Sequence, residues 1–495
     1  MSGKTEFNDL KMLVKSKNPI ITIETHEENR ALQLITQLAI HFNKPIFGWD
    51  RVDGFTRVDL KHHLEELDGT KEPLGALKHI KSEDRAGIFI FCDFHPYFED
   101  APKITRLVKE IAIDYDKKEH TLIFVSHKIE LPEEIRRFSA RFQLALPDET
   151  QLEKLIRDEA KTWSDAHRGQ RVKTDSKTLQ RLVRNLKGMT YGDARTLVRN
   201  VISDGAITDE ELPSVNKAKF ELLDMDGILS FEYETSKFSE VGGLHNLKRW
   251  LKQREAVFLD PSIPLDPPKG LMLLGIQGGG KSLAAKAVAG MWGLALLRLD
   301  FGALYNKFHG ESEKNLREAL KMAELMSPCV LWLDEIEKGL SSGESDGGTS
   351  QRILATLLTW MAENDHQVFI VATANDISKL PPELMRKGRL DEIFFVDLPD
   401  SSSRKDIFEI HLSRRKQIVE EYDLDILAEA SEGFTGSEIE QAVVSALYRA
   451  YGEGIPMTTE SVKETIQQTH PISVVMAEKV QALRDWAKDR TVLAN

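Results

Sequence analysis

The sequence has few of the features that mark exported, disulfide-bonded or membrane-spanning proteins. Only two of its 495 residues are cysteine, Cys92 and Cys329, and both stand in apolar, strand-like runs. We therefore expect buried, reduced thiols, with no disulfide and no structural zinc. No stretch approaches the roughly 18 consecutive apolar residues of a membrane span, and the opening residues MSGKTEFNDL lack the apolar region of a signal peptide. These absences predict a protein without a membrane span that is not exported.

An excess of basic residues is also missing. The chain has 66 Lys and Arg against 79 Asp and Glu, a formal net charge of -13, and the acids are spread along its length. Such a chain has no electrostatic footprint for DNA or RNA, so we expect no nucleic-acid partner. The composition, 41% hydrophobic and 29% charged, suits a globular chain of about two to four domains.

A glycine-rich segment follows one of the apolar runs. Residues 275–282 read GIQGGGKS, after the run Leu271 to Leu274 and before the helical pattern SLAAKAVAGMWG. This is the P-loop spacing in its expected strand-to-helix context. The backbone amides of Gly278 to Lys281 would surround phosphates at a helix N-terminus, Lys281 would reach the outer phosphates, and the Ser282 hydroxyl would join a Mg²⁺ shell. We therefore expect ATP or ADP and Mg²⁺ as ligands.

Two later strands end in polar residues that fit the same chemistry. The run CVLWL, residues 329–333, ends in Asp334 and Glu335, and QVFIVATAN ends in Asn375. Asp334 would hold the hydrated Mg²⁺, Glu335 would polarise the attacking water and Asn375 would orient it. Each residue alone is a common strand-end or turn residue. The order of strand, P-loop, helix, acid strand and Asn strand favours the catalytic interpretation.

With these motifs in place, residues from about 238 to 400 resemble the AAA domain of the AAA+ ATPases. FSEVGGL, residues 238–244, is similar to the segment that packs on adenine, and MRKGRLDEIFFVDLPD, residues 385–400, is similar to the second region of homology. The resemblance implies a ring, typically a hexamer, in which Arg386 and Arg389 enter the neighbouring subunit's active site. A guanidinium supplied across an interface neutralises transition-state charge only in the assembled ring. The alternative is two solvated surface arginines.

The resemblance also implies a set of nucleotide-contacting residues. Gly436 and Ser437, in SEGFTGSEIEQAV, match the start of a lid helix that replaces a sensor arginine in this clade. Ile276 and Gln277 stand where Pro-Pro is usual and Gly279 where Thr is usual, which loosens the loop but removes no ligand. The implied metal ligands are Ser282 and Asp334. The implied nucleotide-binding set is Gly242, Gly243, Gly275, Gly278, Gly279, Gly280, Lys281, Ser282, Leu283, Gly436 and Ser437.

Between the P-loop and the acid strand, YNKFHGESEKNL resembles the family's first pore loop, with Phe308, His309 and Gly310 as its aromatic-x-glycine tip. A ring of such tips grips an extended polypeptide. The alternative places Phe308 in the core at a helix start, but its polar flanks favour the pore. The Gly/Ser-rich segment 341–350 stands where a second pore loop would be.

Four segments indicate a subfamily within the AAA+ ATPases. They are GIQ before the glycines, SPCVLWLDEIEK, the intact RKGRLDEIFFVDLPD and the tail ISVVMAEKVQALRDW. These segments resemble the AAA+ ATPases encoded by a conserved open reading frame of algal plastids, cyanobacteria and other bacteria. The resemblance spans the chain but is weaker before residue 230. It implies a cytoplasmic or plastid-stromal protein and little about the client.

The N-terminal part repeats the order of these motifs. AGIFIFCDFHPYF parallels CVLWLDEIEKGL, which puts Asp93 at the position of Asp334 and Phe94 at that of Glu335. A parallel stretch puts His127 near Asn375, and LKGMTYGDARTLV parallels SEGFTGSEIEQAV. Three matches in one order predict a decayed AAA-like module with its own lid. The alternative is an unrelated α/β domain.

The apolar run at residues 20–23 leads into ETHEENRA where the second half of the chain has its P-loop. An ungapped overlay puts Glu24, Glu27, Glu28 and Asn29 on Gly275, Gly278, Gly279 and Gly280, and Arg30 on Lys281. Carboxylates repel phosphate, and residues with a Cβ keep the backbone away from it. We therefore predict that this module binds no nucleotide and serves as a scaffold, stacking on the ATPase ring or presenting a surface to a client.

The predicted fold is α/β throughout, an AAA+ P-loop large domain with a helical lid after a degenerate AAA-like (RecA-like) module. The predicted domains are the module without a P-loop (1–150), a small helical lid-like subdomain (151–205), a linker (206–237), the ATPase large domain (238–400), and the helical lid with a C-terminal helix (401–495).

The function these patterns predict is Mg²⁺-dependent ATP hydrolysis by a homo-oligomeric ring that remodels or threads a protein client of unknown identity through a central pore. One alternative is an ATP-controlled switch or assembly scaffold whose N-terminal module binds a partner without unfolding it. A DNA-handling loader is disfavoured by the excess of acids.

Overall fold

The architecture is described by a computed structural model that covers residues 2–58, 69–208, 211–222, 229–233, 241–260, 262–301, 312–340, 349–386 and 388–495. The chain divides into two compact units. The first unit is Met1–Leu155 with Met189–Thr196, and the second unit is Ile156–Gly188 with Leu197–Asn495. This division passes through the lid-like subdomain predicted at 151–205.

The first unit alternates strands and helices. Its elements are α1 (Ser2–Lys15), β1 (Ile20–Glu24), α2 (Glu28–Phe42), β2 (Ile46–Asp50), β3 (Gly54–Arg57), α3 (Pro73–Ser82), β4 (Ile88–Cys92), α4 (Pro102–Ile113), α5 (Tyr115–Lys118), β5 (Thr121–Ser126), α6 (Glu133–Arg136) and β6 (Ser139–Phe142). A short 3₁₀ helix, His95–Phe98, follows β4. The next helices along the chain are α7 (Glu149–Ala166), α8 (Ser176–Leu186) and α9 (Tyr191–Ile202).

The six strands of the first unit form one sheet in the order β3-β2-β4-β5-β1-β6. All neighbours are parallel except β2 and β3. Strand β4 shows why the apolar runs are continuous: Phe89 and Phe91 enter a core with α3 and α4, and Ile88 and Ile90 enter a core with α1 and α2. A sheet covered by helices on both faces needs apolar side chains in both directions.

The second unit has the same alternation, followed by a run of helices. Its further elements are α10 (Leu212–Leu222), β7 (Leu229–Phe231), α11 (His245–Leu259), β8 (Gly270–Gly275), α12 (Lys281–Trp292), β9 (Ala295–Leu299), α13 (Ser312–Leu325), β10 (Cys329–Leu333), α14 (Ile336–Leu340), α15 (Thr349–Glu363), β11 (Val368–Ala374), β12 (Glu392–Val396), α16 (Ser401–Arg414), α17 (Leu424–Ala430), α18 (Gly436–Glu453), α19 (Thr459–Gln467), α20 (Ile472–Val475), α21 (Ala477–Ala487) and β13 (Val492–Leu493).

The sheet of the second unit has the order β13-β12-β8-β11-β10-β9-β7. Its five strands β8 to β12 are parallel neighbours, and their order matches that of β1, β2, β4, β5 and β6 in the first unit. In both sheets an extra antiparallel strand covers the same edge, β3 on β2 and β7 on β9. This shared topology supports the predicted internal repeat against an unrelated α/β domain.

The helices α16 to α19 form a separate small bundle with its own core, which includes Phe408, Leu412 and Val443. They correspond to the predicted lid. Leu483 and Ala487 of α21 pack in a core of the large domain's sheet, as expected for an amphipathic C-terminal helix that folds back. None of the described helices combines the length and apolar character that crossing a bilayer requires.

The stretch 206–237, predicted as a linker with short helical pieces, also contains a strand where it is described. It contains α10, and β7 pairs with β9 through Leu229 and Leu299. Leu229 and Phe231 are buried on either side of exposed Ser230. A strand of three residues is too short for its alternation to stand out in the sequence.

Candidate active site

The carboxyl ends of β8, β10 and β11 meet at one edge of the second unit's sheet, where a cavity of about 560 Å³ opens between the sheet and the lid helices α16 and α18. Ligands bind at this edge of open parallel sheets. The cavity is lined by Val241, Gly242, Leu244, Gln277, Gly278, Gly279, Gly280, Lys281, Ser282, Leu283, Asp334, Glu335, Thr373, Asn375, Val396, Asp397, Pro399, Ser403, Ile407, Ile410, His411, Arg414, Gly436, Ser437, Glu440 and Asn495.

Residues 276–280 connect β8 to α12 and form one wall of the cavity. Gly278 and Gly280 have positive φ, 79° and 92°, where a side chain is strained. A Cβ on Gly278 would stand 2.3 Å from Ser437 Oγ, and one on Gly275 would stand 2.1 Å from the Val396 carbonyl oxygen. The loop therefore depends on glycine at these positions, and its backbone is open to a ligand.

Lys281 begins α12 and is only 6% exposed. Its ammonium donates to the carbonyl oxygens of Gly275, at 2.9 Å, and Ile276, at 2.8 Å. Burial lowers the pKa of Lys281 to about 8, although the nearby carboxylates of Glu337 and Glu335 act to raise it. A buried ammonium beside neutral carbonyls and a helix N-terminus fits the anionic phosphates of a nucleotide.

Asp334 follows β10 and is held by two side chains. The Thr373 hydroxyl donates to Oδ1 at 2.8 Å, and Nη2 of Arg298 donates to Oδ2 at 2.8 Å. Neither contact was anticipated from the sequence. The available signals were a hydroxyl in the buried strand VFIVATA and a lone cation in ALLRL, but only the pairing of β9, β10 and β11 makes them neighbours.

Glu335 has a left-handed backbone, with φ of 48°, and its N–H donates to Thr373 Oγ1 at 3.0 Å. Asn375, at the end of β11, donates from Nδ2 to Glu335 Oε1 at 3.0 Å. Lys338 forms an ion pair with the other oxygen. Strained backbone of this kind clusters at functional sites. The Asn375 amide therefore sets the orientation of the Glu335 carboxylate at the cavity.

Oxygen ligands for a metal are present at the same place. Ser282 and Asp334 both line the cavity, and a hydroxyl with a carboxylate is the donor set that Mg²⁺ prefers beside phosphates. The residues present therefore fit the expected ion.

The lid contributes the start of α18. The Ser437 N–H donates to the Gly278 carbonyl at 3.3 Å, and Gly436 lines the cavity with it. Asn495 also lines the cavity and accepts the N–H of Leu244 through Oδ1; no motif in the sequence points to this residue. Of the predicted nucleotide-binding set, Gly243 and Gly275 are outside the lining.

The predicted arginines are not part of the cavity lining. Arg386 is exposed, and Arg389 donates to the Glu383 carbonyl. The predicted first pore loop, Phe308, His309 and Gly310, lies outside the described residues, as do residues 341–348 of the second.

Among the described residues of the first unit, the corresponding edge of the sheet has no phosphate loop. Three residues, 25–27, connect β1 to α2, against five, 276–280, in the second unit. The ungapped overlay is therefore wrong, because Glu27 rather than Asn29 caps the helix. Arg30, overlaid on Lys281, instead pairs with Glu6 at 2.7 Å and Glu27 at 3.0 Å.

A five-strand parallel sheet in this order, a glycine loop with a buried lysine after β8, and an acid pair directly after β10 define a P-loop ATPase with a helical lid. Comparison with protein families agrees along the chain. Residues 271–398 match the ATPase family associated with various cellular activities (AAA), and 421–464 match the AAA+ lid domain. Residues 7–144 and 150–226 match the N-terminal and second domains of SpoVK-like AAA ATPases.

Full-length relatives extend this match. The chain is 35% identical over 491 residues to the AAA domain-containing protein ycf46 of Pyropia yezoensis, and 34% identical over 492 residues to that of Trieres chinensis, with 97% of each chain covered in both cases. It is also 36% identical over 236 residues to the proteasome-activating nucleotidase of Aeropyrum pernix, covering 45% of this chain and 57% of the relative. The protein belongs to the AAA ATPase family, beside the plastid ycf46 proteins, and is a nucleotide-binding ATPase, which confirms the resemblance seen in its motifs.

Proposed function

We propose that the protein hydrolyses ATP with Mg²⁺ at this cavity, as a homo-oligomeric ring that remodels or threads a protein client. The observation that carries the proposal is the convergence of Lys281, Asp334, Glu335 and Asn375 on one cavity. Phosphoryl transfer to water needs positioned charge and an oriented water more than covalent chemistry, and these four side chains supply both.

Each side chain has a distinct role in the proposal. The Lys281 ammonium and the amides of residues 278–281 bind the β- and γ-phosphates. Glu335 accepts a proton from the attacking water, and Asn375, already bonded to Glu335, fixes the direction of that carboxylate. Ser282 and Asp334 would hold Mg²⁺, which supplies charge neutralisation on the phosphate oxygens when bound.

The arginines support a shared site. Arg386 is exposed and outside the cavity lining, so it is available to a neighbouring subunit. A guanidinium that completes the site from a second copy makes hydrolysis depend on assembly.

A protein client is supported by a relative whose name describes action on another protein assembly, the proteasome-activating nucleotidase of Aeropyrum pernix. Phe308, His309 and Gly310 are the proposed grip on that client. The plastid relatives favour the cytoplasm or the plastid stroma as the location of this protein.

The direct test is Glu335→Gln. Losing a general base costs at least about a hundredfold in turnover, so steady-state ATPase should fall by that factor while ATP affinity stays near wild type. The matched control is Glu363→Gln, an exposed glutamate at the end of α15, which should leave both quantities unchanged. Near-normal turnover in Glu335→Gln would contradict the proposed site.

A further inference from the structure

The first unit has a cluster of metal-ligating side chains at the sheet edge where the second unit has its cavity. Asp93, His95 and His127 each present one ligand atom, and these atoms all lie within 4.8 Å of one another. Asp93 and His127 are exposed and His95 is half-buried. The ATPase function described above uses none of them.

Two of the three side chains, Asp93 and His95, share a hydroxyl partner. Ser126, at the end of β5, is 4% exposed. Its Oγ lies 3.0 Å from Asp93 Oδ1 and 2.8 Å from His95 Nδ1. The His95 and His127 rings meet edge to face with centroids 4.7 Å apart. Hydrogen bonds from such a neighbour orient ligand side chains around an ion.

The internal repeat places Asp93 of this cluster at the position that Asp334 has in the second unit. Cys92 pairs with Val125 as Leu333 pairs with Ala372, so the acids that follow, Asp93 and Asp334, occupy equivalent positions. Each accepts a hydrogen bond from a hydroxyl on the next strand, 3.0 Å from Ser126 in one unit and 2.8 Å from Thr373 in the other. Asp93 is therefore the counterpart of the residue proposed to hold Mg²⁺.

The neighbours of the two acids differ in chemistry. Asp334 shares its cavity with Ser282 and a phosphate loop, which suits Mg²⁺ on a nucleotide. Asp93 stands beside two imidazoles, and its unit has a shortened loop. Imidazole nitrogen selects transition metals, whereas Mg²⁺ prefers oxygen. The ligand class at the shared position has therefore changed.

We propose that Asp93, His95 and His127 bind one divalent first-row transition-metal ion of the Zn²⁺ class. The expectation of no structural zinc rests on the two cysteines, and none of these three ligands is a cysteine. Two imidazoles and one carboxylate are a known ligand set for such ions, with the remaining positions open. His26, whose ring stacks on His127 with centroids 6.0 Å apart, provides a further imidazole beside the site.

The ion ties three parts of the first unit together. Asp93 follows β4, His95 begins the 3₁₀ helix and His127 follows β5. Ligand atoms bound to one Zn²⁺ at about 2.0–2.1 Å lie roughly 3.3 Å apart. Because the three ligand atoms lie within 4.8 Å of one another, the side chains need to close by at most about 1.5 Å. The exposure of Asp93 and His127 permits that movement, and it leaves open positions for water or a partner's side chain.

The test is metal titration of the full-length protein in a chelator-free buffer. Calorimetry with Zn²⁺ should give one site per chain, and Co²⁺ should give the visible absorption of a nitrogen- and oxygen-ligated ion. His95→Asn and His127→Asn should each weaken Zn²⁺ binding by at least about tenfold, and Ser126→Ala by about ten- to a hundredfold through lost orientation. His41→Asn, at an exposed histidine of the same unit, is the matched control and should bind as wild type.

Two further measurements keep the result decisive. Asp334→Asn should retain Zn²⁺ binding, which separates this site from the ATPase cavity and makes its failure distinguishable from failure of the ATPase proposal. Zn²⁺ should raise the thermal unfolding midpoint of the wild type and of His41→Asn but not of His95→Asn, because only a bound ion stabilises the folded state. Equal Zn²⁺ affinity in wild type, His95→Asn and His127→Asn would overturn the proposal.

Discussion

At the scale of single residues, Lys281 shows how the site is prepared for an anion. Its ammonium is buried against two carbonyl oxygens, and burial holds its pKa at about 8. A lysine whose pKa is lowered in the folded protein carries its full charge only below that pH. Binding of phosphates would favour the charged form, so nucleotide affinity and the protonation of Lys281 are linked.

This linkage predicts the pH dependence of binding. Below about pH 8 Lys281 is charged and affinity for ATP should be level. Above it, free protein must take up a proton to bind, so affinity should fall by up to about tenfold per pH unit. The measurement is ATP affinity from pH 7 to 9.5 with Glu335→Gln, which prevents turnover. Lys281→Arg is the control: any binding it retains should be level, because arginine stays charged throughout. A level profile in Glu335→Gln that keeps Lys281 would contradict this.

The lowered pKa of Lys281 also affects the free energy of unfolding. Between about pH 8 and the ordinary lysine pKa near 10.5, the unfolded chain binds the Lys281 proton more tightly than the folded chain. The contribution of this group to the free energy of unfolding therefore rises with pH in that window.

At the scale of elements, the phosphate loop and the lid are in close contact at the cavity. Gly278 has φ of 79°, and its space for a Cβ is filled by Ser437 Oγ and Thr435 Oγ1. The lid helix α18 starts at Gly436 and donates back to the loop through Ser437. Nucleotide and lid therefore act on the same short stretch of backbone.

Gly278→Ala should weaken ATP binding through both the strained backbone and the collision with Ser437. Adding Ser437→Ala removes the nearer atom and should restore part of the loss, while the strain at positive φ remains. Gly452→Ala, in α18 where nothing lies within 4 Å of the added carbon, should bind ATP as wild type. Additive effects of Gly278→Ala and Ser437→Ala, measured as ATP affinities, would count against the contact.

The sequence predicts the strands and the site residues that short local patterns determine. The apolar runs of β1, β4, β8 and β10 were evident because both faces of each sheet are covered, and Lys281, Asp334, Glu335 and Asn375 were found because each stands next to such a run. Strand β7 was missed because its three residues owe their conformation to β9. The partners of Asp334 were missed because strand register, which depends on the whole sheet, brings Arg298 and Thr373 to it.

At the scale of the whole molecule, the described residues form two sheets whose five parallel strands have the same order, and within those residues a phosphate loop stands at the edge of the second sheet alone. The shortening from five loop residues to three could not be seen in an ungapped comparison, since helix starts are set by capping and packing. Proposed assembly through Arg386 and Arg389 adds a second dependence, because each active site would then need residues from two copies of the chain.

This dependence predicts complementation between defective chains. Arg386→Ala should keep nucleotide affinity but lose most hydrolysis, and Lys281→Ala should lose binding. Mixed rings of the two should recover part of the ATPase, because some interfaces unite an intact phosphate loop with an intact arginine. The control mixes Arg386→Ala with a double variant that carries both Glu335→Gln and Lys281→Ala. This mixture should recover the same activity, because the chain that donates the arginine does not use its own Glu335. No recovery in confirmed mixed rings would indicate a site complete within one chain.

The most direct test of the account is to count nucleotides on the full-length protein. Glu335→Gln, which should bind ATP without hydrolysing it, is saturated with ATP and Mg²⁺, and the bound nucleotide is measured per chain. About one nucleotide per chain is expected, all of it lost when Lys281→Ala is added. The loop between β1 and α2 has neither glycines nor a lysine, and Arg30 in α2 is paired with Glu6 and Glu27. A second nucleotide per chain, or nucleotide that remains in the Lys281→Ala variant, would contradict it.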